Sequence, residues 1–211
     1  MRWSDQGVET TRYHVIPRTL CFLFYENRVL LLRGADDKRL WAGRLNGIGG
    51  HVEPGEDLLV AARREIAEEA GITDIQPRLC GIIHASPSDK ASAGIILFVF
   101  AARIDASAVT TTRCGREGDL EWHSMDDLPH DEMVADLPHL LPRVWRCLDS
   151  AGVFYGLYTA DTNGEMVFYF SNAGDALPAG CSQIEPWSYT DRPPSEGNGA
   201  WQRPLEGKIG P

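Results

Sequence analysis

The sequence has no apolar run long enough to cross a bilayer; the longest, residues 94–102, is strand-sized. It has no CxxC pair, and its five cysteines (Cys21, Cys80, Cys114, Cys147 and Cys181) are odd in number and far apart. That argues against a zinc ribbon or a disulfide framework, and for reduced thiols in a cytoplasmic setting. Basic residues are in deficit: 20 Lys and Arg face 30 Asp and Glu, a formal net charge of −10. Binders of nucleic-acid polymers are more often basic, so neither that partner nor a membrane is expected. An acidic protein that handles phosphates needs metal ions to reverse the local field. The first residues carry Arg2, Asp5 and Glu9 without an apolar stretch, so no secretory signal is expected.

What is present is a chain of 211 residues, 43% hydrophobic and 24% charged, enough for one large globular domain and a tail. Residues 19–25 and 28–33 are apolar and β-rich around Glu26-Asn27, which predicts a hairpin. Residues 57–70 read as a helix. Leu59, Ala62, Ile66 and Ala70 form its apolar stripe, Asp57 caps its start and Gly71 stops it. Strands are expected at 75–85, 94–104 and 118–122, with turn chemistry at Ser86-Pro87-Ser88-Asp89. A second helix is expected at 137–148, and a hairpin at 153–159 and 165–170 around Asp161-Thr162-Asn163-Gly164. The domain is placed at 1–172. Residues 173–211, rich in proline and glycine, form a tail without its own core. Trp187, Tyr189 and Trp201 in that tail are packing residues for the domain or for a second subunit, which leaves a homodimer open.

The chemistry is concentrated in residues 50–72. Glu65, Glu68 and Glu69 stand at i, i+3 and i+4, so their carboxylates share a helix face opposite the apolar stripe. Two such charges about 4 Å apart repel by on the order of 4 kcal/mol at an effective dielectric of 20. Arg64 can partner Glu56 or Glu68 but cannot neutralise every acid. Ligands that are all oxygen select hard cations, Mg²⁺ or Mn²⁺. Asn46-Gly47-Ile48-Gly49-Gly50, just before the helix, lets backbone approach a ligand closely. The histidines form no convincing metal spacing. Trp41 and Trp122 read as core aromatics, although Trp41 is near enough to the acids to offer a stacking face.

This segment resembles the Nudix box, G-x5-E-x7-R-E-U-x-E-E-x-G-U with U apolar, at every specified position: Gly50, Glu56, Arg64, Glu65, Ile66, Glu68, Glu69, Gly71 and Ile72. The resemblance implies an α/β fold: an α/β/α sandwich with a mixed β-sheet and a loop–helix–loop catalytic motif. It implies that Glu68 and Glu69 ligate catalytic Mg²⁺, with Mn²⁺ as the alternative ion, and that Glu65 is a ligand or the base. Gly49 would lend its carbonyl to the metal, Arg64 would orient a glutamate, and Glu56 and Gly71 would be structural. Residues 45–50 are similar to the W-N-G-x-G-G segment of the MutT-like branch, which includes 8-oxo-dGTP diphosphatases. Glu117, five residues before Trp122, resembles a glutamate of that branch that reaches the metal site as a further ligand or base. Asn46, Gly49, Gly50 and Asp136 would contact the nucleotide substrate. Asn46 also reads simply as an Asn-Gly turn residue, and Asp136 as an acid at the helix N-cap. Val134 and Leu137 stand where that branch has a stacking tryptophan and a second aspartate. The implied reaction is cleavage of a nucleoside triphosphate, oxidised or not, to monophosphate and pyrophosphate. An ADP-ribose or nucleotide-sugar pyrophosphatase and a non-catalytic nucleotide sensor are the alternatives.

Overall fold

A computed structural model describes residues 2–7, 13–38, 40–86, 93–105, 114–115, 117–161 and 163–172. The expected turn at Pro87-Ser88-Asp89 and the tail at 173–211 lie outside the described residues. The strands are β1 (Val15–Tyr25), β2 (Arg28–Gly34), β3 (Leu45–Asn46), β4 (Arg78–Ala85), β5 (Gly94–Arg103), β6 (Cys114–Gly115), β7 (Gly118–Ser124), β8 (Phe154–Ala160) and β9 (Met166–Asn172). Two α-helices, α1 (Leu58–Ala70) and α2 (Leu137–Cys147), join them. The sheet runs β6-β7-β2-β1-β5-β4-β8-β9, with β3 on β2. It is mixed: β1 pairs with β5 and β4 with β8 in parallel, and the other pairs are antiparallel.

The sandwich follows from the two-residue period of the strands. In β1, Leu20, Phe22 and Phe24 join one buried cluster with Leu137, Leu140, Leu141 and Val144 of α2. Cys21 and Leu23 face the other way, into a cluster with Ala62, Ile66 and Ala70 of α1. Strands β2 and β5 divide in the same manner: Val29, Leu31, Val99 and Ala101 lie on the α2 side. Leu30, Leu32, Phe100 and Ala102 lie on the α1 side. A central strand covered on both faces reads as a continuous apolar run, which is why residues 20–24 show no polar alternation.

The short strands β3 and β6 were not expected, and the other departures are at element ends. Strand β1 begins at Val15 rather than at residue 19, because Val15 to Thr19 pair with Gly94 to Phe98 of β5. Strand β4 begins at Arg78 rather than at residue 75; Pro77 has no N–H for a ladder, and Ile75 is buried from the preceding loop. Cys21, Cys80 and Cys147 are buried free thiols. Among the described residues, no helix is long and apolar enough to cross a membrane.

Candidate active site

Helix α1 is fixed at both ends by local chemistry. Asp57 Oδ1 accepts from the N–H groups of Leu59 and Val60 at 2.9 and 3.0 Å. Gly71 ends the helix in the left-handed region, φ 72°, and donates its N–H to the Ala67 carbonyl. The three glutamates of this helix share the cleft side, apart from Ala62, Ile66 and Ala70 in the core, but they differ in environment. Glu65 is only 9% exposed, among the buried residues of α1, whereas the Glu68 side chain is 59% exposed. The Glu65 carboxylate lies against Gly50, where a side chain would displace it.

Arg64 gathers the acids. Its Nε and Nη2 donate to the two carboxylate oxygens of Glu56 at 2.9 and 3.1 Å, a bidentate pair. Nη1 donates to Glu65 Oε1 at 2.8 Å and to Glu68 Oε2 at 3.2 Å, and Nη2 also reaches the His51 carbonyl at 2.9 Å. Glu56, held first by Arg64 and then by the Glu53 N–H, has its pKa lowered. The Arg64 pKa is raised, chiefly by Glu56.

Glu69 is the exception. Its Oε2 accepts the Gly49 N–H at 3.1 Å, and among the described residues it has no ion pair. Burial, with the charges of Glu65 and Glu117 adding to it, pushes its carboxyl up to about 7; the Gly49 N–H and Lys38 oppose this. The two glycines before the helix are required by close approach. A methyl on Gly49 would overlap the Thr19 carbonyl, and one on Gly50 would overlap the Glu65 carboxylate.

These residues line a cleft of about 930 Å³. One wall carries Gly49, Gly50, Glu65, Glu68 and Glu69. Glu117 joins it because Gly34 pairs with Gly118 across β2 and β7, which sets the loop after β2 beside Glu117. The Glu117 carboxylate is ion-paired to Lys38 Nζ at 2.7 Å. Asn46 also lines the cleft; it is not a turn residue but ends β3, paired with Leu32, and its Oδ1 accepts the Gly47 N–H at 2.8 Å. Arg64 and Glu56 stand behind the wall and Gly71 at the far end of the helix; none of the three lines the cleft.

The opposite wall carries Leu97, Val134, Asp136, Tyr158 and Phe168. Asp136 is at the N-cap of α2, but its side chain makes no capping bond. Its carboxyl is buried beside the Tyr158 hydroxyl, and burial pushes its pKa up to about 6. The Tyr158 hydroxyl is itself buried with no partner of regular hydrogen-bond geometry. Tyr158 and Phe168 were missed by sequence reasoning. They arrive through the parallel β4–β8 pairing, in which Ala85 faces Tyr158, and through the β8–β9 hairpin, in which Tyr158 faces Phe168. Leu137 is wholly buried in the core and does not line the cleft. Trp41 is not a core aromatic: it is 53% exposed, has φ 63°, and lines the cleft. Trp122 packs partly buried against the α1-side cluster.

Buried Asp136 gives a direct stability test. Its pKa rises from 3.8 to about 6 on folding, so the folded state holds the proton more tightly. Stability from this group is complete below pH 3.8 and is lost as pH rises through about 6. Asp136→Asn, which removes the charge, is expected to raise the melting temperature at pH 8 and to change it little at pH 4. Equal shifts at both pH values would show that the carboxylate is not strained by burial.

Among the described residues, no three Asp, Glu, His or Cys side chains stand close enough to chelate an ion as they are placed. The donor set is nevertheless all oxygen (Glu65, Glu68, Glu69 and the Gly49 carbonyl), and Glu69 is half-buried with no ion-pair partner among the described residues. In type and charge these residues fit a hard divalent cation.

A mixed sheet between helices, with close-packed glycine backbone leading to a glutamate-bearing helix at a cleft, provides a site for a hard cation and an anionic ligand. The family profile described as NUDIX domain matches residues 15–144, and the chain belongs to the Nudix family of hydrolases. It is 28% identical over 153 residues to the uncharacterized Nudix hydrolase YvcI of Bacillus subtilis, covering 72% of this chain and 90% of that one. It is 32% identical over 127 residues to the oxidized purine nucleoside triphosphate hydrolase of Danio rerio, covering 56% of this chain and 72% of that one. Among solved structures it superimposes on a MutT protein from Bacillus halodurans with a TM-score of 0.58 at 25% identity, covering 77% of this chain and 100% of that one. Nudix hydrolases generally use divalent metals.

Proposed function

We propose that the protein cleaves a nucleoside triphosphate, of the oxidised-purine kind or close to it, with water to give the nucleoside monophosphate and pyrophosphate. The observation that carries this reading is the cleft itself. One wall is acidic and glycine-rich and suits a phosphate chain with its cations. The facing wall is apolar with a buried carboxyl and hydroxyl and suits a heterocyclic base. The zebrafish relative named for oxidised purine triphosphates supports the same substrate class.

Glu68, Glu69 and the Gly49 carbonyl would hold Mg²⁺ or Mn²⁺, with Glu65 as a further ligand or the base and Glu117 as another once it leaves Lys38. The metal, when bound, would neutralise phosphate charge and make water more acidic. Glu65, whose Oε1 is held by Arg64, keeps Oε2 to accept a proton from the attacking water. Gly49 and Gly50 allow the phosphate chain to lie against the backbone. Val134 provides no flat surface; of the aromatics lining the cleft, Tyr158 and Phe168 are buried and Trp41 is exposed, so Trp41 is the one available to stack on the base. Asp136 and Tyr158 would contact its polar edge.

The test is a panel of dNTPs, 8-oxo-dGTP and ADP-ribose with Mg²⁺, read as product identity. Pyrophosphate from a triphosphate is expected. AMP and ribose phosphate from ADP-ribose, with triphosphates untouched, would replace this reading with a nucleotide-sugar pyrophosphatase. Tight binding without turnover of any member would replace it with a sensor.

A further inference from the structure

Three cations line the cleft among the described residues that carry a permanent charge: Arg18, Lys38 and Arg44. Two of them are engaged elsewhere. Lys38 is paired to Glu117, and Arg44 donates to the Asp131 carbonyl. Arg18 differs: no carboxylate stands within ion-pair distance among the described residues, and its guanidinium is turned onto the ring of His51. Its Nε and Nη2 approach His51 Nε2 at 3.2 and 3.0 Å. A guanidinium can only donate, so His51 Nε2 is the acceptor and the fork is spent on a single neutral nitrogen. That is a weak use of a group shaped for two oxygens of one anion.

The backbone beneath the pair is fixed by pairing. Residues 18 and 51 form an antiparallel bridge. Thr19 N–H donates to the Gly50 carbonyl at 2.9 Å, Val52 N–H to the Pro17 carbonyl at 3.1 Å, and Arg64 Nη2 to the His51 carbonyl at 2.9 Å. His51 directly follows Gly50, whose Cα lies against the Glu65 carboxylate. The cationic fork thus begins one residue from the acidic wall.

We propose that Arg18, with His51, is the binding fork for the distal phosphates of the substrate, the part that leaves as pyrophosphate, and so selects for chain length. This rests on the triphosphate reading above. A phosphate chain that starts at the glutamates and runs over Gly50 meets Arg18 next. There the guanidinium exchanges one imidazole nitrogen for two phosphate oxygens, and the freed His51 nitrogen closes against the same group. Arg18 touches no reacting atom in this arrangement; it is a specificity-determining residue that acts on affinity.

The test is Arg18→Ala with Mg²⁺ and the best triphosphate of the panel. Loss of a charged hydrogen-bonded contact predicts a KM higher by roughly 10- to 100-fold. The kcat is expected to stay within about threefold of the parent. Inhibition by pyrophosphate should weaken by a similar factor, whereas inhibition by the nucleoside monophosphate, which has no distal phosphates, should not change. Calorimetric binding of the α,β-imido analogue of that triphosphate in calcium buffer should weaken in parallel. An unchanged KM, or equal weakening for monophosphate and pyrophosphate, overturns the fork. If Arg18→Ala does not fold, Arg18→Lys decides: it keeps the charge without the fork, a several-fold higher KM is expected, and an unchanged KM overturns the proposal. If the unaltered protein cleaves no triphosphate at all, it is the substrate reading that fails, and the two failures are distinguishable.

Discussion

Glu69→Gln is expected to lower turnover by roughly 10²- to 10⁴-fold while the fold persists. A metal-held phosphate gains several kcal/mol of charge stabilisation in the transition state, and each ~1.4 kcal/mol is tenfold in rate. Glutamine removes the charge but keeps a carbonyl oxygen to accept the Gly49 N–H, so the local hydrogen bond survives. The same change has a signature in stability that activity cannot mimic. Burial raises the Glu69 carboxyl from 4.5 to about 7. In metal-free buffer, between those pH values, the folded state binds more protons than the unfolded one. The stability from this group, complete below 4.5, therefore falls as pH rises through about 7. The parent should lose more melting temperature between pH 5 and pH 8 than Glu69→Gln does. Added Mg²⁺ at pH 8 should raise the melting temperature of the parent more than that of the variant, because only the parent gains a neutralised charge. Near-normal turnover in the variant, or an identical pH slope, would remove Glu69 from the metal site.

The contrast between Glu69 and its neighbours shows what could be read in the sequence and what could not. Helix α1 was legible because its determinants are local: Asp57, the spacing of Ala62, Ile66 and Ala70, and Gly71 all act within a few residues of their partners. The alternation that builds the two cores was only half legible. Residues 20–24 look uniformly apolar, and nothing in them says which residue faces α1 and which α2 until β1 is paired with β5. The glutamates were found, but their different environments depend on where Arg64 points, and an arginine beside a glutamate does not reveal that it also reaches Glu56 and the His51 carbonyl. The pairing of Lys38 with Glu117 depends on the β2–β7 register, and Tyr158 reaches Asp136 through the β4–β8 pairing. Trp41 was misplaced because its neighbours do not disclose that the Gly34 and Gly43 N–H groups, bonded to the Arg44 and Gly34 carbonyls, close the loop and leave the indole outside.

Arg64→Ala is expected to damage both stability and turnover, and for one cause. Removing the guanidinium leaves the Glu56, Glu65 and Glu68 carboxylates facing one another without a cation. The Glu56 and Glu65 side chains are only 11% and 12% exposed, too little for water to replace what is lost. Breaking a fully buried pair costs about 3–5 kcal/mol. The Arg64 side chain is 28% exposed, so screening reduces this, and the expected result is a lowered melting temperature with the fold retained. Turnover should fall as well, because Glu65 loses the contact that holds its Oε1 and the Gly50–Val52 turn loses the bond to the His51 carbonyl. Arg64→Lys separates the two parts of the argument. A lysine restores one positive charge but cannot make the bidentate bond to Glu56 while also reaching Glu65 and the His51 carbonyl. It should therefore recover much of the melting temperature and little of the kcat. If Arg64→Lys restored both, charge alone would position these glutamates and the geometry of the guanidinium would be incidental. If Arg64→Ala left both intact, the acids would have to be organised by something other than Arg64.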